Sequence, residues 1–250
     1  AECLYKYYGG DTLTTAVTAL KLGSKVGFIS RIGMHCFKDY LLESWQSEGL
    51  DISQIKTVKG INGLYMVSKV QDCAAKEFSY YRKKTAATGL SIEDISGEYI
   101  QNSSLLYSTG ITQSLSISAR EAVKYAFEIA RENNVLTAYD PNFTPLIWTE
   151  EEAKESFEEI SDFIDIIFIN LKNDSPVIFE LASVENLIKY LWDRGIGTVI
   201  IKSSEEKGYY VGYQGNISFV QYYSDRIVDN TGAGDVFNGG VLHGIVSGMS

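Results

Sequence analysis

The segment Asp229-Asn-Thr-Gly-Ala-Gly-Asp235 has the residue types and spacing best suited to chemistry in this chain. Arg226-Ile-Val228 reads as a strand leading in, and an apolar helical pattern follows from Val236. Small side chains let the main-chain amides of Gly232, Ala233 and Gly234 converge at the start of a helix. Unpaired N–H groups and the helix dipole favour an anion there. Asp235 falls in the first helical turn, beside that spot. A carboxylate next to a bound phosphate suits a base that accepts a proton from an attacking hydroxyl. A tight strand-to-helix turn with an Asp favouring the helix N-terminus fits the same spacing.

The surrounding elements must hold this turn in place, and they alternate between helix and strand. Leu13, Ala16, Val17 and Leu20 recur at helical spacing, with Gly23 as a stop, and Lys25–Ser30 reads as a strand. Phe37, Leu41 and Trp45 continue as a helix that Gly49 ends. Ser104–Ser108, Val135–Tyr139, Ile166–Ile169 and Thr198–Lys202 read as strands. Between them, Ser118 and Glu121 form a capping box before Ala122, Tyr125, Ala126 and Ile129. Thr149 and Glu152 form another before Phe157 and Ile160, and a helix spans Val184–Trp192. Tyr209–Tyr213 and Ile217–Gln221 read as closing strands. The expected fold is therefore α/β, a mostly parallel sheet with helices on both faces.

Gly63–Lys69 and Lys76–Lys83 interrupt this alternation and predict an antiparallel hairpin. Ligands of open α/β sheets sit at the carboxyl ends of the strands, so such an insert is placed to act as a lid. The expectation is one α/β domain over residues 1–250, with a small β lid contributed by about 1–8 and 60–84. The chain starts at Ala-Glu-Cys-Leu and stops inside a helical pattern, so elements are expected to be missing at both ends.

Composition narrows the function classes. With 45% hydrophobic and 22% charged residues, the chain has the balance of a globular protein, not of a disordered one. A formal net charge of −10 repels phosphate backbones and anionic lipid, which argues against nucleic-acid or membrane binding as the main role. No apolar run approaches the roughly 18 residues of a membrane span. Cys3, Cys36 and Cys73 are scattered without a C-x-x-C, and His35 and His243 lack ligand partners at helical spacing. A disulfide framework and a structural metal site are not expected, and a reducing cytoplasm fits.

The Asp229–Asp235 segment resembles the D-T-x-G-A-G-D signature of the ribokinase (PfkB-type) sugar kinases, with Asn230 where the pattern has Thr. Gly9-Gly-Asp-Thr-Leu-Thr-Thr-Ala16 and Val26–Gly33 are similar to that family's early helix and strand. Within the family, Gly63-Leu-Tyr65, Phe78–Lys83, Ser108–Ile111 and Asp140–Trp148 fall in the order and spacing of the 2-keto-3-deoxygluconate kinases. The resemblance covers essentially the whole chain. It implies a ribokinase-like fold, ATP and Mg²⁺ as cofactors, and phosphorylation of a hydroxyl of a small sugar acid. Asp235 would be the base, and the amides of Gly232, Ala233 and Gly234 would hold the phosphoryl charge.

The same resemblance assigns Gly10, Asp11, Thr14, Tyr65, Tyr80, Arg82 and Asn142 to the sugar. Strand periodicity independently puts Tyr80 and Arg82 on one face of the lid, and Arg suits a carboxylate or phosphate. Asn170, Lys202 and Gly208, with Gly232 and Gly234, fall near the family's nucleotide positions; no metal ligand is assigned. The implied partner is a second copy of the chain, joined through the β lid. Three departures bear on substrate. Thr14 replaces the family's Asn, Thr144 its carboxylate-facing Arg, and Asn173 its Glu near Mg²⁺. The segment Lys202–Gly208 also carries one extra residue and lacks the first Gly of the family's turn. Another small sugar, or a non-catalytic relative that binds sugar or nucleotide, therefore stays an alternative.

Overall fold

A computed structural model describes residues 6–69, 76–223 and 229–249. Cys3, Cys73, residues 1–5 of the expected lid segment and the expected strand Arg226–Val228 lie outside the described residues. The chain begins with α1 (Asp11–Lys21), β1 (Ser30–Gly33), α2 (Lys38–Glu48) and β2 (Ile55–Val58). The lid strands β3 (Leu64–Lys69) and β4 (Lys76–Tyr81) follow. Next come α3 (Gly97–Gln101), β5 (Leu105–Thr109), α4 (Gly110–Gln113), α5 (Ile117–Glu132), β6 (Leu136–Asp140) and α6 (Glu150–Glu158). The remainder is β7 (Ile166–Asn170), α7 (Val184–Asp193), β8 (Thr198–Ser203), β9 (Gly208–Tyr213), β10 (Asn216–Gln221) and α8 (Ala233–Val246).

The main sheet has six strands in the order β10-β9-β8-β7-β6-β5. β5, β6, β7 and β8 run parallel, and β9 and β10 are antiparallel additions. β7 shows why helices cover both faces: Ile166, Ile167, Phe168 and Ile169 are all buried, so each side of the strand needs an apolar cover. Ile167 and Ile169 pack with Phe127 of α5, Phe157 of α6 and Leu187 and Leu191 of α7. Ile166 and Phe168 face the opposite side, toward Leu242 and Phe237 of α8.

Several boundaries move from those expected. The strand predicted at Lys25–Ser30 instead forms at Ser30–Gly33, paired parallel with β2, and only an isolated Gly27–Asp51 bridge precedes it. The helix predicted to be capped by Ser118 starts earlier: Ser116 is its N-cap and accepts from the Ala119 amide. The Thr149–Glu152 capping box forms as expected, and Gly49 ends α2 in the left-handed region. β3 and β4 pair antiparallel as a two-stranded hairpin. Residues 6–8, expected to join the lid, form no strand and turn toward α2, with the Tyr8 hydroxyl donating to Glu48.

α1 and α8 lie side by side on the far face of the sheet, and their contact fixes the geometry of the site. A Cβ at Gly239 would stand 2.6 Å from the Thr15 carbonyl oxygen and 2.7 Å from Thr18 Cβ, so only glycine permits this approach. The Thr15 hydroxyl completes the junction by donating to the Asp235 carbonyl at 3.0 Å. Gly239→Ala opposes two effects. Helix propensity favours Ala by about 1 kcal/mol, whereas overpacking against main chain costs about 1–3 kcal/mol. The backbone clash leaves little room to relax, so net destabilisation of about 1–2 kcal/mol is expected in urea unfolding; a stabilised variant would show that the two helices can part freely.

Candidate active site

The start of α8 is built by a tight turn. Gly232 is its N-cap at φ 74°, a left-handed conformation that a side chain would strain. The Thr231 amide donates to Asp229 Oδ1 at 2.8 Å, and the Ala233 amide donates to the Asn230 carbonyl at 3.1 Å. That second bond corrects the expected anion cradle, because the Ala233 amide is committed to the turn itself. Among the described residues, the amides of Gly232 and Gly234 have no partner. They are the donors at this helix N-terminus that remain open to an anion.

Asp235 follows at once. Its carboxyl is pushed up to about 7, first by burial and then by the charges of Asp11 and Asp140; Lys202 and a hydrogen bond from Asn142 pull the other way. A Cβ on Gly232 would lie 3.9 Å from Asp235 Oδ2 and 3.6 Å from Thr14 Cγ2. The Asp235 carboxyl, the turn and the Thr14 side chain therefore share one small space. Asn142 reaches it from the loop after β6, where its φ of 45° takes the left-handed region that Asn tolerates.

The sugar-side candidates converge on the N-terminus of α1. Gly10 adopts φ 146° as its N-cap. Asp11 in the first turn accepts a hydrogen bond from the Thr109 hydroxyl. Burial raises the Asp11 carboxyl, while Thr109, the Thr12 amide and Arg82 oppose the rise. Arg82 comes from the end of the lid and stacks 4.7 Å above the Tyr80 ring. Tyr80 is the register partner of Tyr65, with ring centroids 6.2 Å apart. A Cβ on Gly9 would meet the Tyr65 hydroxyl at 2.5 Å, which places the lid tyrosine against the Gly9-Gly10 element. The lid residues Tyr65, Tyr80 and Arg82 thus meet the Gly9–Asp11 element, while Asp11, Asn142 and, through Gly232, Thr14 adjoin Asp235.

The nucleotide-side candidates lie at neighbouring strand ends, with Asn170 the register partner of Lys202. Lys202 turns inward: Nζ donates to Asp140 Oδ2 at 2.7 Å and to Asn238 Oδ1 at 3.3 Å. Gly208 begins β9, where a Cβ would meet the Phe219 ring at 2.3 Å, so cross-strand packing accounts for the glycine. Asn170 ends β7, and its Oδ1 accepts the amides of Lys172 and Asn173, both at 3.0 Å.

Spacing alone missed several polar residues of the site. Asp140 is buried at the end of β6, and Asn238 Nδ2 donates to it at 2.6 Å and to the Tyr107 hydroxyl at 3.1 Å. A lone Asn in the apolar stretch after Asp235 was the available signal for Asn238. Asp174 is also buried, and accepts the amides of Phe143 at 2.9 Å and Asn170 at 2.6 Å; burial and the charge of Asp140 raise its carboxyl. Thr109 could be found only from the fold.

Mg²⁺ finds no ready cage here. Among the described residues no group of three or more His, Cys, Asp or Glu could hold a metal ion, and both oxygens of Asp174 are already occupied. This donor set suits a hard cation that keeps its waters and is carried by phosphates, and not one enclosed by protein ligands.

The family described as pfkB family carbohydrate kinase matches residues 1–250. The 2-dehydro-3-deoxygluconokinase of Bacillus subtilis (strain 168) is 27% identical over 248 residues, covering 98% of this chain and 76% of that protein. The 5-dehydro-2-deoxygluconokinase of Clostridium beijerinckii is 26% identical over 251 residues, covering 98% of this chain and 74% of that one. In structure, the PfkB protein of Polaromonas sp. JS666 superposes with a TM-score of 0.91 at 24% identity, over 100% of this chain and 82% of that chain. An Escherichia coli protein provisionally named Ribokinase II, solved with ATP and Mg²⁺, gives a TM-score of 0.87 at 22% identity over 96% and 76%. The likeness shows a ribokinase-like α/β fold. No helix among the described residues is long and apolar enough to cross a membrane.

The raised Asp235 carboxyl has a consequence for stability. Its value near 7 in the fold exceeds the roughly 3.9 of an unfolded Asp. Between those limits the folded state holds the extra proton, so stability falls as pH rises and levels off above about 7. Asp235→Asn removes the buried charge. It should raise the melting temperature by about 8 °C or more at pH 8 and change it little at pH 4. Thermal melts at the two pH values check this; equal shifts would contradict the burial argument.

Proposed function

The chain belongs to the pfkB family of carbohydrate kinases, and from that premise we propose that it phosphorylates a hydroxyl of a small sugar acid of the 2-keto-3-deoxygluconate type, with ATP as donor. The carrying observation is Asp235 at the mouth of the α8 turn, flanked by Asp11 and Asn142 and raised to about 7. A carboxylate of that basicity holds and releases a proton at neutral pH.

The residues divide the work by position. The sugar hydroxyl lies against Asp11 and Asn142, and Asp235 takes its proton as the oxygen attacks. The Gly232 and Gly234 amides donate to the phosphoryl oxygens, where preorganised dipoles stabilise developing charge without reorganising. Mg²⁺, carried by the triphosphate, supplies further neutralisation of the phosphate charge. Tyr65, Tyr80 and Arg82 of the lid cover the sugar and exclude water, so the phosphoryl group passes to the alcohol and not to solvent.

Arg82 supports the acid as substrate. Its guanidinium stands over Tyr80 and near Asp11, positioned for a bidentate bond to a carboxylate. The names of the Bacillus and Clostridium relatives, both keto-deoxy-gluconokinases, support the same class. One observation favours a second reading. Thr144 stands where the resemblance places an Arg and caps its own turn toward the Leu146 amide, so a neutral sugar of similar size also suits the site. Leu64, Met66 and Tyr81 are exposed on the face of the lid opposite Tyr65 and Tyr80, which supports pairing of two chains through the lid. A cytoplasmic location accords with the free Cys36.

ADP release with a panel of sugars and sugar acids tests the reading. Turnover is expected with a keto-deoxy sugar acid, and retained sugar binding without turnover on any member would favour the non-catalytic alternative. Asp235→Asn should lower kcat by about 10²–10⁴-fold and leave sugar binding largely intact. Wild-type turnover in that variant would remove Asp235 from its role. Arg82→Gln should raise KM for the acid by about 10- to 150-fold and leave a neutral analogue unaffected; equal losses on both would instead make Arg82 a lid-packing residue.

A further inference from the structure

Lys202 lies one residue before the end of β8, with Asn170 of β7 as its register partner. Its ammonium crosses above the Phe168 ring, 5.9 Å from the centroid, to reach Asp140 on β6. The lysine side chain is 19% exposed and its partner carboxylate 3%. Asn238, fully buried on α8, accepts from the same ammonium and donates to the same Asp140 oxygen. Asn238 also ties the cluster to Tyr107 of β5. An ammonium has three donors, and two are spent here. The nitrogen borders the anion turn, since a Cβ on Gly234 would lie 3.7 Å from it.

A buried ion pair adds little net stability, and losing one partner strands the other charge. Such a pair is better understood by what it holds in place. We propose that Lys202 is a positioning residue of the phosphoryl-transfer site: clamped by Asp140 and Asn238, it fixes one positive charge beneath the Gly232–Gly234 turn and sets the charge state in which Asp235 meets the sugar hydroxyl. The inference rests on the reading of Asp235 as base.

The groups facing Asp235 make the sign definite. Asp11 approaches from α1 and Asp140 from β6, both negative, with the neutral Asn142 from the following loop. Lys202 from β8 is the positive group that opposes them. Arg82 acts on Asp11 from the lid, and Asp174 faces Asp140 and Lys202 from the turn after β7. Removing Lys202 leaves Asp140 uncompensated beside the base, while Arg82 still acts on Asp11. Removing the charge of Asp140 does the reverse.

The experiment compares Lys202→Gln and Asp140→Asn by the pH dependence of kcat/KM. Lys202→Gln should move the acid limb upward by about one pH unit, a roughly tenfold loss below neutrality, with KM for ATP unchanged. Asp140→Asn should move the limb downward, and Lys202→Arg should return it toward wild type. A merely structural role would shift both variants the same way or neither, and either result overturns the proposal. So does a Lys202→Gln loss confined to KM for ATP, which would make the lysine a nucleotide ligand. Should Lys202→Gln lack measurable turnover, the pH dependence of its unfolding without substrates serves instead. Stability should keep falling beyond the pH at which wild type levels off, and an unmoved plateau refutes the idea. Persistent turnover in Asp235→Asn removes the base and this inference together. An inactive Asp235→Asn with unmoved limbs in the other variants removes this inference alone.

Discussion

Crowding of like charge at one point governs this structure. Asp11, Asp140 and Asp235 come from three separate elements and meet where α1 and α8 cross the sheet, with Lys202 and Arg82 as the cations that act on them. Buried carboxylates repel, and burial raises Asp11 and Asp235. A fold selected only for stability would disperse them. Their convergence needs a rigid frame, and the Gly239 contact between α1 and α8 supplies it. The cluster explains why Asp235 titrates near neutrality while an exposed Asp would not. The environment, and not the residue type, raises this carboxyl.

The frame follows from the sheet. Thr109, Asp140 and Asn170 are the last residues of β5, β6 and β7, and Lys202 is next to last in β8. Parallel strands deliver their carboxyl ends to one edge, so one polar residue at each end suffices to line a site without disturbing the apolar run behind it. β7 is apolar on both faces until Asn170, and β6 is buried from Thr137 through Asp140. α8 closes the edge by pointing its N-terminus at the same place. Its apolar face holds it to the sheet through Leu242, and its polar start meets the strand ends.

This division also marks what the sequence could reveal. Periodicity located α1, α2, α5, α6, α7 and the four parallel strands, because each repeats an apolar signal over several residues. The Gly-Ala-Gly turn and Asp235 were legible because their chemistry is local. β1 was misplaced because Lys25–Ser30 has strand-like residues, while pairing with β2 favours Ser30–Gly33 and register is set by a partner distant in sequence. Asp140 and Asn238 passed unmarked for the same reason. Each is a single polar residue whose meaning appears only when the fold brings the two, 98 positions apart in sequence, within 2.6 Å. The inward turn of Lys202 belongs here as well: the residue reads as a nucleotide-side candidate, and its bond to Asp140 appears only once the carboxylate across the sheet is known.

The lid completes the constraint from the other side. As an isolated two-stranded hairpin it has too few backbone partners to be independently stable. Its place must come from what it touches: the Tyr65 hydroxyl against Gly9, and Arg82 toward Asp11. Both contacts lie at the sugar end of the cluster and neither at the phosphate turn. An anionic sugar would add a bond to Arg82, fastening the lid when the acceptor is present, and would bring one more negative charge to a site already dominated by carboxylates. A neutral sugar would leave Arg82 acting on Asp11 without that bond. On the proposed function, closure and charge balance would therefore be linked through one guanidinium, and recognition of the acceptor would set both the exclusion of water and the field around Asp235.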